Sequence, residues 1–145
     1  MRRRKIPSNT NYYTYYNANP SEQVSADCVI RAVSVVESED WYSTLMDMTI
    51  VLAESDDVFC SDSGLKTYMQ RRGHTIHKQV RKYDNTKLTG IEFCKYLEEN
   101  GYQNPVLAKI GAHHVTSFVR TEEGYKVYDT WNCSWEKVGI WWSKE

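Results

Sequence analysis

The chain has almost no excess charge of either sign. Eighteen Lys and Arg stand against nineteen Asp and Glu, a formal net charge of −1, so neither nucleic acid nor an anionic membrane is expected as a partner. No apolar run approaches the roughly 20 residues a membrane span needs. No signal-peptide core follows the basic start Met1-Arg2-Arg3-Arg4-Lys5, which reads as a solvated tail. There is also no C-x-x-C pair: Cys28, Cys60, Cys94 and Cys133 lie far apart. Without an export signal they read as free thiols, and the cytoplasm is the expected compartment. Cys and His pairs at zinc-ligand spacing are missing too, so neither a metal nor another cofactor is expected.

What is present describes an ordinary globular chain. Hydrophobic residues make up 41%, aromatics 13% and charged residues 26% of 145 residues, enough for one domain with a real core. Residues 1–18 read as a basic and aromatic arm, in which Asn11-Tyr12-Tyr13-Thr14-Tyr15-Tyr16 forms an extended segment packed on the domain. Residues 19–145 read as that single domain.

The segment Ser25-Ala26-Asp27-Cys28-Val29-Ile30-Arg31-Ala32-Val33-Ser34-Val35-Val36 is the one around which the rest is organised. Only Arg31 and Ser34 interrupt its apolar run after Cys28, so it predicts a helix buried on most of its circumference, capped by Ser25 or Asp27. Cys28 then sits in the first turn, where unpaired N–H groups and the macrodipole favour a thiolate. It is either a nucleophile or a small buried hydrophobe.

Further helices are expected from about Glu39 to Ala53 with Ser38 as cap, from Gly64 to Arg72 capped by Asp62 or Ser63, and from the capping box Thr89-Gly90-Ile91-Glu92 to Asn100-Gly101. His74 to Val80 alternates weakly as a strand, and His74 and His77 read as surface residues. Beyond Gly101 the period becomes extended: Pro105 to Ile110, His113 to Arg120, Tyr125 to Thr130 and Trp135 to Trp142 read as strands of an antiparallel meander. Trp135, Trp141 and Trp142 are assigned to core or edge packing. Helices first and strands last make the class α+β.

If the loop is Thr121 to Gly124, Arg120 pairs with Tyr125, Phe118 with Val127, Thr116 with Asp129 and His114 with Trp131. His114 and Asp129 then share a face as diagonal neighbours, and His113 points away. A loop one residue longer exchanges the two histidines. A His–Asp pair of this kind is either structural or catalytic.

The order Cys, His, then Asp followed two positions later by Trp131 resembles that of papain-like cysteine peptidases, with Asp129-Thr130-Trp131 standing for their Asn-x-Trp. More closely, Asp27-Cys28-Val29-Ile30-Arg31-Ala32, His114-Val115-Thr116 and Tyr128-Asp129-Thr130-Trp131-Asn132-Cys133 resemble a family of small papain-fold proteins of bacteriophages and Gram-positive bacteria. The resemblance implies a papain-like fold, with the Cys-bearing helix packed on a C-terminal antiparallel sheet. It implies that Cys28 is the nucleophile, His114 the general base and acid, Asp129 the residue that orients the imidazole, and Trp131 a screen over the His–Asp bond. Papain-like enzymes carry an oxyanion-hole glutamine upstream of the cysteine. Gln23 is the candidate, one position closer than in papain, with Asn19 or Asn17 as substitutes. The implied activity is hydrolysis of a peptide or amide bond through a thioester, with a protein or peptide as substrate. The alternative is an inactive papain-fold protein that binds a host protein.

Overall fold

A computed structural model describes residues 5–23, 25–59 and 61–145. Residues 1–4, Val24 and Cys60 lie outside it, and with them the expectations of a solvated basic tail and a free Cys60 thiol. Within the described residues the fold is α+β, with helices α1 (Cys28–Glu37), α2 (Trp41–Glu54), α3 (Asp62–Arg71) and α4 (Gly90–Glu99). The strands are β1 (Tyr13–Tyr15), β2 (Thr75–His77), β3 (Val106–Ile110), β4 (His114–Thr121), β5 (Gly124–Asp129) and β6 (Val138–Ser143). No described helix is long and apolar enough to cross a membrane.

The six strands form one sheet in the order β1-β5-β4-β3-β6-β2. Only β3, β4 and β5 form the expected meander. β6 returns to pair with the far side of β3, and β1 lies parallel to β5, so the sheet is mixed and not purely antiparallel. The aromatic segment expected to pack on the domain is therefore its edge strand, with Tyr13 fully buried in the core, and the boundary drawn at residue 18 does not separate it from the domain.

Alternation along the strands divides the core in two. Val106, Ala108, Ile110, Phe118, Val127 and Trp141 pack with Phe93, Cys94 and Leu97 of α4. On the other face, Leu107, Val115 and Trp142 meet Ile30, Val33 and Val36 of α1, with α2 and α3 behind. This burial is what makes α1 a helix. Its ten residues would be marginal alone, and each β-branched residue disfavours the helix by up to about 0.7 kcal/mol. Burying a side chain of this size returns about 1.5–3 kcal/mol. Of the polar residues on α1, Ser34 donates to the Ile30 carbonyl at 2.7 Å and Glu37 pairs with His74; Arg31 is taken up below.

Several local expectations shift. Ser38 is not the α2 cap: it ends α1 at φ 53°, and Asp40 caps α2 by accepting from the Ser43 N–H. Ser61, not Asp62 or Ser63, caps α3. The capping box at Thr89 and Glu92 is present. Gly90 carries a second duty there, since a Cβ would lie 2.8 Å from the Ser134 backbone; the turn after β5 is thus pressed onto α4. His74 is not a surface residue, and His77 is half-buried. His74 is buried against Glu37, and His77 stacks on Trp141 at 3.9 Å and bonds to Ser143. Trp141 and Trp142 are core, whereas Trp135 is 73% exposed and packs in neither core cluster.

Candidate active site

The β4–β5 hairpin pairs Arg120 with Tyr125 and Phe118 with Val127, and closes at Thr121 and Gly124. That register brings His114 and Asp129 together: Nε2 lies 2.6 Å from Asp129 Oδ2, and the Thr116 hydroxyl donates to the same oxygen at 2.6 Å. His113 lies in the β3–β4 turn that Gly111 opens at φ +63°, and its side chain is exposed. Trp131 places its ring 5.0 Å from the imidazole, although it is itself 40% exposed.

Asp129 is anchored from every side. The Thr130 N–H and Arg31 Nη1 donate to Oδ1 at 2.7 and 3.2 Å. Its backbone carbonyl accepts from Tyr16 N and the Tyr13 hydroxyl, so the edge strand β1 fixes the end of β5. Burial opposes a charge on Asp129, but the hydrogen bond and charge of His114, the Thr116 hydroxyl and the Thr130 N–H hold its carboxyl below the usual range.

Cys28 opens α1. Asp27 stands at the cap position as expected, but its side chain does not cap. Its carboxylate instead accepts from Arg31 Nε at 2.8 Å, Trp41 Nε1 at 3.0 Å and Asn19 Nδ2 at 3.2 Å. Because α1 belongs to the layer opposite α4, its N-terminus reaches His114 at the end of the strand. There Cys28 stands beside His114 and the Val115 N–H, both of which favour its thiolate. With Nε2 on Asp129, Nδ1 is the ring nitrogen left for the thiol. Burial alone pushes the Cys28 thiol up, but the donors offered by His114 and the Val115 N–H and the charges of His114 and Arg31 bring it below its ordinary value. Burial likewise works against a charged His114; its bonds to Asp129, Cys133 and Cys28 outweigh that and push it up to about 11. Together these shifts favour a thiolate–imidazolium pair that titrates as a unit.

Cys133, which closes the Tyr128–Cys133 segment of the resemblance but was given no role there, lies buried beneath the site with Sγ 3.8 Å from Asp129 Oδ2. Burial and the Asp129 charge push its thiol up, so two cysteines around one imidazole are driven in opposite directions. Cys94, a core residue as expected, is pushed up by burial. Cys28, Cys94 and Cys133 are all free. Donor atoms of His114, Asp129 and Cys133 lie within 4.8 Å of one another, a set of ligand types that suits zinc. Yet His114 Nε2 and Asp129 Oδ2 are 2.6 Å apart, closer than the roughly 3.3 Å between ligands that tetrahedral zinc imposes. The arrangement is that of a hydrogen-bonded network.

The oxyanion candidates separate. Gln23 is exposed. Asn19 is buried with its amide committed, donating to Asp27 and accepting from Ser21. Asn17 accepts from the Asn19 N–H, while its own Nδ2 is buried without a partner. Asn17 is therefore the amide with a donor to spare.

Cys28 and His114 open together into a cleft of about 750 Å³ between the helices and the sheet. Val29, Met48, Leu52, Leu65 and Ile140 line much of it, with Lys87 and Asp62 among its polar residues. Comparisons of the chain with protein-family models, with curated proteins and with solved structures found no match.

Proposed function

We propose that the protein is a papain-like thiol hydrolase that cleaves a peptide or amide bond, with Cys28 as nucleophile, His114 as base and acid, and Asp129 orienting the imidazole. One arrangement carries this reading: Cys28, its thiol lowered by its neighbours, stands at a helix N-terminus beside an imidazole held by a buried carboxylate, and both open to the same cleft. The chain order of the three residues, and Trp131 two positions after Asp129, support the papain-like assignment.

In the proposed reaction the Cys28 thiolate attacks the substrate carbonyl carbon and the C=O π pair moves onto oxygen. The Cys28 N–H and one side-chain donor, for which Asn17 is the candidate, stabilise that oxyanion; one such donor is worth about 2.7–4 kcal/mol in enzymes where it has been removed. The C–N bond then breaks as the His114 imidazolium gives its proton to the departing amine, leaving a thioester on Cys28. Water, deprotonated by the neutral imidazole, attacks the thioester. Collapse releases the acid and restores the thiolate–imidazolium pair.

The test is site-resolved alkylation by iodoacetamide at pH 6, read by peptide mapping, with Cys94 and Cys133 as internal controls. Cys28 is expected to label well ahead of both, and peptide esters are expected to leave an acyl adduct that Cys28→Ala abolishes. Labelling of Cys28 no faster than the two buried cysteines in the folded protein would overturn the enzyme reading in favour of a binding module.

A further inference from the structure

Arg31 is the one cation on α1, and its side chain is only 12% exposed. Removing such a cation from water costs several kcal/mol unless it is paired. Arg31 is paired twice. Nε donates to Asp27 Oδ1 at 2.8 Å, and Nη1 donates to Asp129 Oδ1 at 3.2 Å and to the Thr130 hydroxyl at 2.8 Å. Asp27 immediately precedes the nucleophile and Asp129 holds the imidazole, so one planar group joins the two halves of the site across different elements.

We propose that Arg31 is a positioning residue for the thiol hydrolase reading on which this inference rests: its guanidinium bridges Asp27 and Asp129, setting the helix end that carries Cys28 against the His114–Asp129 pair while balancing their charge. The charged groups facing it are Asp27 and Cys28 from α1, Asp129 from β5 and, through Asp129, His114 from β4. Tyr16 and Tyr128 line the same small void as Cys28 and Arg31, and Cys133 reaches Asp129 from the following turn. With the thiolate formed, two carboxylates and a sulfur anion face His114 and Arg31. Without Arg31 a single cation faces three anions, and the thiolate is disfavoured. A lysine retains the charge, but its single ammonium lacks the fork that meets two carboxylates at once. Misplacement of reacting groups by about 1 Å can cost 10²-fold in rate, which is the scale on which such a brace acts.

Both carboxylates keep other donors when Arg31 is replaced: Asn19 and Trp41 for Asp27, His114, Thr116 and Thr130 for Asp129. The Arg31→Lys and Arg31→Met variants are therefore expected to fold, which circular dichroism checks. The experiment measures the rate of Cys28 alkylation by iodoacetamide from pH 4 to 9 in each. In Arg31→Met the acid limb is expected to move up by roughly half a pH unit or more, which lowers the rate at pH 6 by about threefold or more. Arg31→Lys is expected to recover less than half of that shift. Should Arg31→Met not fold, Arg31→Lys decides alone, by a limb displaced from that of the wild type. A folded variant of either kind whose limb matches the wild type overturns the bridge. Failure of the wild-type protein itself to label at pH 6 instead overturns the hydrolase reading, so the two outcomes are separable.

Discussion

Two histidines in this molecule, one buried and one partly buried, are surrounded by nearly the same parts. His114 pairs with Asp129, and Arg31 joins that carboxylate to Asp27. His74 pairs with Glu37, and Arg72 joins that carboxylate to Glu39. The surroundings differ. Around His114 each Asp129 oxygen is occupied, a low-pKa thiol faces the ring, and the pair opens on the large cleft. Around His74 the Nδ1 atom, Glu39 Oε2 and the neighbouring Tyr68 hydroxyl are buried with no partner. The hollow beside it, about 360 Å³, is lined by Val36, Glu37, Asn104, Pro105 and Lys144, with no thiol or hydroxyl among them. An imidazole, a carboxylate and a guanidinium in a protein interior are thus no sign of chemistry in themselves. The thiol and its access to solvent distinguish the two clusters, while the second one clamps the end of α1 to the turn after α3.

The largest expected effect breaks the comparison at its reactive end. Cys28 has a lowered pKa, so its thiolate is present above that value and is lost as pH falls through it. In His114→Ala the hydrogen bond and charge that lower it are gone, and the alkylation profile is expected to move towards about 8.5, the value of an unassisted thiol. At pH 6 the thiolate fraction of such a thiol is below about 1%, so the Cys28 rate is expected to fall at least tenfold. Retention of wild-type labelling at pH 6 by a folded His114→Ala protein would show that the imidazole does not activate the thiol.

The contrast also marks how far local pattern reaches. The hairpin register that pairs Arg120 with Tyr125 was legible because alternation and a short turn fix it within ten residues, and it carried the choice of His114 over His113. The burial of His74 was not legible, because its partner Glu37 comes from another element and the strand signal after Gly73 is weak. Tyr13 lies 116 residues from the Asp129 carbonyl it bonds, a parallel pairing on which no local period bears. Ser38 is the expected cap of α2, but its backbone is left-handed and Asp40, two residues on, caps instead. Arg31 did carry a signal: a lone cation on an apolar helix, four residues after Asp27, is the spacing of a helical ion pair. Its second partner, Asp129, belongs to the tertiary fold and has no local trace. Cys133 was hidden for a similar reason, since a cysteine in a turn shows nothing of what lies above it.

The second prediction strikes the other cluster. Glu37 is buried between His74 and Arg72, with its side chain only 6% exposed. Glu37→Gln removes the buried anion that faces His74, while Arg72 is partly exposed and keeps Glu39, so the loss of these charge-assisted bonds is expected to cost about 1.5–3 kcal/mol. Urea or thermal unfolding should record the loss. The Cys28 alkylation rate, measured where the variant remains folded, should match the wild type, because no group of this cluster touches the site. A stability close to wild type would mean that this cluster is not the clamp its geometry describes, and a changed Cys28 rate would mean that the two clusters are coupled.

The smallest expected effect concerns Trp131, whose ring lies beside His114 yet is exposed to solvent. Because it is only partly buried, Trp131→Ala is expected to change stability by no more than about 1 kcal/mol, within the range of surface substitutions that lose some packing. Its consequence for the site is electrostatic. Removing the ring admits water to the His114–Asp129 bond and raises the local dielectric, which weakens the pull of the carboxylate on the imidazolium and of the imidazolium on the thiolate. The acid limb of Cys28 alkylation is then expected to move up by roughly a few tenths of a pH unit, well short of the His114→Ala shift. Trp131→Phe, which retains an apolar ring, is expected to remain close to the wild type. If Trp131→Ala lowers stability as much as Glu37→Gln does, the ring is a structural prop and not a screen. If it leaves the limb unmoved, the His114–Asp129 bond is shielded from below by Thr116 and Cys133 alone.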